Sequence, residues 1–394
     1  MAKQDIDGLL RAAVDDGRVP GVVALALDRS GVCYQGAFGK RSLNEPAAMT
    51  LDTVFRIASM TKAVTGVAAM QCVERGTLAL DQPAGEIVPE LAEPQVLEGF
   101  DADGKARLRP ARRKITLRML LTHTAGFVYP VWNANFDRYC QITGFPVIMS
   151  GRLAALGAPL AFEPGERWEY GINIDWAGRM VEAASRQDLD SYMRQHIFAP
   201  LGMTDTGFVP TNEQLARSVQ AHNRKPDGSL EPIERTPFTR AEFFAGGGAL
   251  YSTGPDYAKF LQMLLAGGSF NGAQILKPET IALMAQNHIG DLLVEKLPTS
   301  QPGMSHDAEF FPGMKKKWGL TWLINTEDVP GRRSAGSLAW AGLFNTYFWL
   351  DPQRQVAGTI LTQILPFADP TVLNLLDEFE TQVYRTTTES ARHA

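Results

Sequence analysis

Runs that read as β-strands occur at the two ends of this 394-residue chain, and a long stretch of different texture separates them. Near the start, residues 21–28 (Gly-Val-Val-Ala-Leu-Ala-Leu-Asp) turn at Arg29-Ser30-Gly31 and return over 32–38, the signature of a hairpin. Near the end, 318–324 reads as a strand, and 345–350 and 356–362 flank the turn residues Asp351-Pro352-Gln353-Arg354. Between them, helical segments at 115–122, 175–185, 188–198, 256–265 and 278–286 alternate with Gly- and Pro-rich loops, and 289–312 reads as loop. Amphipathic patterns at 4–16 and 370–385 add a helix at each end. The expected fold class is α+β, with one central antiparallel sheet flanked by the N- and C-terminal helices. Residues 1–84 and 313–394 would form that lobe, and 85–312 a mainly helical inserted lobe. The cleft between them is the expected site.

Composition excludes several function classes. The apolar (45%) and charged (21%) fractions are those of an ordinary globular protein. A net charge of −5 gives no electrostatic case for nucleic acid. The basic clusters Arg112-Arg113-Lys114 and Lys315-Lys316-Lys317 are short and read as solvated surface. The N-terminal segment lacks the apolar core of a secretory leader, and no run of 18 apolar residues would span a membrane. Cys33, Cys72 and Cys140 are odd in number and widely spaced, so neither a disulfide frame nor a metal site is expected. A reducing, cytoplasmic location fits this usage. No cofactor motif appears.

The chemistry-bearing stretch begins at Ser59-Met60-Thr61-Lys62, the one Ser-x-x-Lys in the chain. With 15 Ser and 12 Lys, chance supplies such a pattern about half a time, so its company decides its weight. Met60, Ala63, Val64, Val67, Ala68, Met70 and Val73 make the following helix apolar on most sides, hence buried, and Gly76 ends it. Residues three apart share a helix face, so Ser59 and Lys62 would sit side by side at a helix N-terminus. The positive end of the helix favours developing negative charge. A serine nucleophile needs a proton acceptor, and burial lowers a lysine pKa enough to serve. A tyrosine hydroxyl can then pass the proton to the leaving group. Tyr170 stands out, after the Pro164-Gly165 turn and just before a helix. His123, at a helix end, reads as a capping or locally hydrogen-bonded residue, and Gly246-Gly247-Gly248 as a tight turn or close packing. No Gly-x-Ser-x-Gly, His-Glu-x-x-His or P-loop occurs.

With these residues in place the chain resembles the serine β-lactamase and penicillin-binding-protein superfamily, in its ester-processing branch of family VIII carboxylesterases and statin-type acyltransferases. Ser59-Met60-Thr61-Lys62 matches the first motif, Tyr170-Gly171-Ile172 the second and Trp340-Ala341-Gly342 the third. The stretches 120–126 (Leu-Leu-Thr-His-Thr-Ala-Gly) and 200–206 (Pro-Leu-Gly-Met-Thr-Asp-Thr) agree, as do 96–101 and 170–178 with the statin-type branch. The resemblance implies that Ser59 attacks an ester carbonyl while Lys62 and Tyr170 exchange its proton. It implies an oxyanion hole from the N–H groups of Ser59 and Leu343, and substrate contacts from Trp340, Gly342, Asn173 and Tyr129. Phe127 and Trp132 are further candidates for the pocket wall.

Two departures narrow the chemistry. Trp340 stands where lactam-processing members carry a cation, and Ile172 where they place an amide, with Asn173 one position later. The expected function is a cofactor-free serine carboxylesterase acting on neutral, partly hydrophobic esters through an acyl-enzyme. The alternative is an acyltransferase moving the acyl group to an alcohol. A β-lactamase or D-Ala-D-Ala peptidase is less favoured, and intact Ser59, Lys62 and Tyr170 argue against a non-catalytic binding protein.

Overall fold

The computed structural model describes residues 2–393. A seven-stranded sheet forms its centre: β1 (Gly21–Asp28), β2 (Gly31–Gly39), β3 (Lys316–Trp318), β4 (Leu323–Asn325), β5 (Leu338–Gly342), β6 (Thr346–Asp351) and β7 (Val356–Leu361). The spatial order is β3-β4-β5-β6-β7-β1-β2, with every neighbour antiparallel. The join between the two chain ends is the β1–β7 pairing, with Val23 opposite Leu361 and Leu27 opposite Ala357. This is the sheet expected from the terminal strand patterns.

β1 is apolar almost throughout because both of its faces are covered. On one side lie the terminal helices α1 (Ala2–Asp15) and α5 (Pro370–His393). There Trp349 lies across Gly358, where an added Cβ would stand 2.2 Å from the indole, and meets Phe379 edge-on. On the other side lie the Ser59 helix, α2 (Thr61–Glu74), and α4 (Gly254–Leu265). Gly254 lets α4 approach Val23 and Leu25, and Tyr257 packs on Phe348. α2 is buried on almost every side, as its sequence requires. A further helix, α3 (Asn173–Ser185), packs against it and follows Tyr170 directly.

The 318–324 run is two strands, not one. β3 ends at Trp318, the chain turns through Gly319 to Trp322 with Thr321 at φ +84°, and β4 begins at Leu323. The turn has Gly319 as its one breaker, and Leu320, Thr321 and Trp322 are all buried, so it does not read as a polar surface turn. The insertion is also less purely helical than its texture suggests. It carries the hairpin Gln95–Phe100 with Ala106–Pro110, and His222–Arg224 pairs with Ile364–Leu365. The helix Ala134–Thr143, unread in the sequence, is capped by the Asn133 side chain and ends at Gly144 (φ +67°). Among the described residues no helix is long and apolar enough to cross a membrane.

Candidate active site

The short strand Phe55–Arg56 pairs with Tyr251–Ser252 and delivers the chain to a 3₁₀ turn, Ala58–Met60, that runs into α2. Ala58 adopts φ +44°, which costs a non-glycine residue about 1–2 kcal/mol. The surroundings hold it there. Ile57 N donates to Leu250 O (3.1 Å), and Tyr257 Oη donates to Met60 O (3.1 Å). The β5 edge presses against the same turn. A Cβ on Gly342 would stand 2.3 Å from Ile57 O, so only glycine allows this approach.

Ser59 is half-buried and Lys62, one turn on, is fully buried. Lys62 Nζ lies 3.1 Å from Ser59 Oγ, 3.0 Å from Tyr129 Oη and 2.5 Å from Gly247 O. A neutral amine can give its two N–H bonds to Gly247 O and Tyr129 Oη and turn its lone pair to the Ser59 hydroxyl. Burial drives Lys62 from the usual amine range down to about 7, and the nearby Asp175 carboxylate partly opposes this.

Tyr170 closes the site. Its ring centre is 4.7 Å from Lys62 Nζ, and Trp340 Nε1 donates to its oxygen at 2.9 Å. Burial pushes its pKa upward, with hydrogen bonds to Ser59 and Trp340 opposing, so the phenol keeps its proton at rest. The strap bearing Tyr170 threads past the 127–129 backbone. A Cβ on Gly171 would stand 2.1 Å from Phe127 O. His123, at φ +57°, fixes the strap. Its Nδ1 faces Gly171 N (3.4 Å) and Asn173 Nδ2 (3.1 Å), and its ring packs 4.7 Å from that of Tyr170. Burial, then the Lys62 charge, holds its pKa well below the usual imidazole value, so His123 is a neutral support, in line with the local hydrogen bonding expected of it.

The expected substrate contacts divide. Tyr129, Trp132 and Leu343 line a cavity of about 380 Å³ beside Ser59. The turn after Leu343 is fixed by Asn345, buried at φ +59°. Its Nδ2 donates to Ile364 O and Pro366 O, and its Oδ1 accepts from Tyr347 Oη and Asp369 N. Asn173 lies apart from the cavity. It is fully buried, and its amide N–H is taken by Phe127 O (2.9 Å), because the first residue of α3 turns inward. Trp340 stands behind Tyr170 rather than on the chamber wall, and its far side borders a separate cavity of about 230 Å³. Gly342 acts through its lack of a side chain, as above. Phe127 packs into the core against Trp176.

Two features were missed. Asp175, in the first turn of α3, is buried and accepts from Gly247 N (2.9 Å). The glycine run at 246–248 is the other half of this clamp. Thr65 Oγ1 donates to Gly246 O (2.7 Å), and a Cβ on Gly247 would stand 2.5 Å from Asp175 Oδ2. The run itself was the only sequence signal, and it indicates close packing without naming the partner.

Outward from Ser59 the cavity is apolar, with Ile148, Met149, Phe238, Phe243 and Phe244 on its walls, and Arg56 and Arg240 beside them. Arg56 stacks 4.2 Å over Phe344, Arg240 faces Phe244 at 5.6 Å, and neither is in an ion pair among the described residues. A larger groove, about 500 Å³, lies by α1 between Arg11 and Lys40; it holds no hydroxyl, thiol or imidazole and is not a reaction chamber.

Known proteins carry the same architecture. A 34% identical relative, covering 95% of this chain and 94% of its own length, is the monacolin J acid methylbutanoyltransferase of Aspergillus terreus. Another, also 34% identical and covering 96% and 98%, is the lovastatin esterase of Penicillium rubens. The structure of simvastatin synthase (LovD) from Aspergillus terreus superposes with a TM-score of 0.85 at 32% identity, over 98% of both chains. The sequence pattern of the family described as Beta-lactamase matches residues 6–380, and the chain belongs to that family.

Proposed function

We propose that this protein is a serine carboxylesterase that works through an acyl-enzyme on Ser59, and that the same intermediate can pass its acyl group to an alcohol. The observation that carries the reading is the Lys62 amine, buried and within hydrogen-bond reach of Ser59 Oγ at the end of an apolar chamber. Neutral Lys62 takes the Ser59 proton as Oγ attacks the ester carbonyl. The N–H groups of Ser59 and Leu343 receive the oxyanion. Tyr170 gives its proton to the departing alkoxide and recovers one from Lys62. Water, or an alcohol, then repeats the sequence in reverse and frees the serine. The two-lobe division, 1–84 with 313–394 against 85–312, suits this chamber: Ser59 and Leu343 come from one side, Tyr129 and Phe238 from the other.

The substrate we infer is a small-molecule ester whose acyl or alcohol part is largely apolar, to match the walls. A carboxylate elsewhere on that molecule would meet Arg56 and Arg240. Acyl transfer is favoured as the second reading by the apolar chamber, which limits water at the acyl-enzyme, and by relatives that include both a transferase and an esterase. Lactam or peptide cleavage is disfavoured because Trp340 supplies no cation and its N–H is engaged by Tyr170. The free thiols Cys33, Cys72 and Cys140 support a reducing, cytoplasmic setting.

Turnover of p-nitrophenyl butyrate tests the reading. Ser59→Ala should lose activity by more than about 10³-fold, and wild type should show a butyryl adduct on Ser59 by mass spectrometry. An inactive wild type refutes the enzyme, and an active Ser59→Ala refutes the site. Added alcohol that diverts product from acid to ester promotes the transferase.

A further inference from the structure

We propose that Asp175 is a positioning residue that sets the basicity of Lys62 and aims its amine at Ser59 through the backbone of Gly247. The inference rests on the Ser59 chemistry proposed above. Residue Gly247 is held on both sides of its Cα: its N–H donates to Asp175 Oδ1 at 2.9 Å, and its carbonyl, in the next peptide unit, accepts from Lys62 Nζ at 2.5 Å. Asp175 and Lys62 are not in direct ion-pair contact among the described residues, so the Gly247 backbone is their mechanical link. Asp175 Oδ2 is buried with no hydrogen-bond partner among the described residues. Only Oδ1 is engaged by a neutral donor; burial raises the carboxyl to about 6, so at neutral pH it is ionised and its charge acts on the Lys62 cation nearby.

Every titratable group facing Lys62 bears on this. His123 and Tyr129 reach it from the 123–132 segment, Tyr170 from the strap, and Asp175 from α3; the Gly246–Gly248 turn brings only backbone. Burial keeps both phenols protonated, and burial with the Lys62 charge keeps the imidazole neutral, so none of them adds a charge at neutral pH. Asp175 alone offers a carboxylate. Burial by itself would make Lys62 too weak a base to hold the serine proton. A carboxylate one residue away, across Gly247, restores that capacity while leaving the amine free to lose its proton again.

The test uses lysine labelled with ¹³C in the full-length protein, with the Lys62 signal assigned by its loss in Lys62→Met. Asp175→Asn keeps an acceptor for Gly247 N–H but removes the charge. The Lys62 titration should fall by about one pH unit. The acid limb of kcat/KM for p-nitrophenyl butyrate should move to lower pH by the same amount, with kcat reduced about tenfold. Asp175→Ala also frees the Gly247 N–H and should add a further loss of kcat to the same shift. An unmoved Lys62 titration in a folded Asp175→Asn variant overturns the proposal. Should that variant not fold, Gly247→Ala, whose Cβ would displace the carboxylate, reads the same shift. The titration needs no substrate, so it decides the role of Asp175 even if wild type turns over no ester.

Discussion

At the inner end of the chamber, Lys62 is fully buried and its nitrogen has three hydrogen-bond partners, from residues 3, 67 and 185 positions away. At the outer end Met149 is 64% exposed and Phe238 37%, and their side chains offer only van der Waals contact. The inner wall is over-determined. Ala58 is strained, Gly171 and Gly342 admit no side chain, and Asn345 uses four hydrogen bonds to fix one turn. Such a wall can hold reacting atoms to the fraction of an ångström that acyl transfer needs. In the outer wall the 236–241 segment makes no hydrogen bond among the described residues, so this part can select a substrate by size and apolar area, which tolerates looser placement. Chemistry and selectivity are thus assigned to regions of different stiffness.

Substitutions at the two ends should part in kind as well as size. Tyr170→Phe removes the proposed proton carrier while keeping the ring packed between Trp340 and Lys62. It should cut kcat by about 10²–10⁴-fold with little change in KM, read by steady-state kinetics on p-nitrophenyl butyrate. A loss confined to KM would contradict the division between the walls. Trp340→Phe keeps an aromatic ring but deletes the 2.9 Å bond to Tyr170. We expect about a tenfold fall in kcat, the worth of about 1.4 kcal/mol for one buried hydrogen bond. If KM for bulky acyl groups changed instead, Trp340 would be a chamber wall after all. The smallest effects belong outside: Met149→Ala and Phe238→Ala should each raise KM several-fold for long-chain esters, leave kcat near wild type, and spare short esters. A chain-length series measures this, and equal effects on butyrate and decanoate esters would sink the assignment.

How much of this was legible depended on range. The sheet was readable because strand signals are local, and the β1–β2 and β6–β7 hairpins carry their turns in the sequence. Where the turn between β3 and β4 was made of buried residues with a single glycine, two strands read as one. Ser59, Lys62 and Tyr170 were nominated by helix spacing and motif order, and the structure brings them together. Asn173 and Trp340 were assigned to the substrate from motif position alone, and their side chains point elsewhere.

By itself, then, the sequence determined which elements form and which three groups could do acyl chemistry, because periodicity, turn composition and a Ser-x-x-Lys on one helix face are properties of neighbouring residues. Only the tertiary structure decided what stands behind them. The Trp340–Tyr170 bond spans 170 residues and the Lys62–Gly247 bond 185, and Asp175 enters only through the second of these. Partners so far apart leave no periodic trace along the chain. They meet because the buried α2 must be covered, and the residues that cover it fix whether its lysine can act as a base.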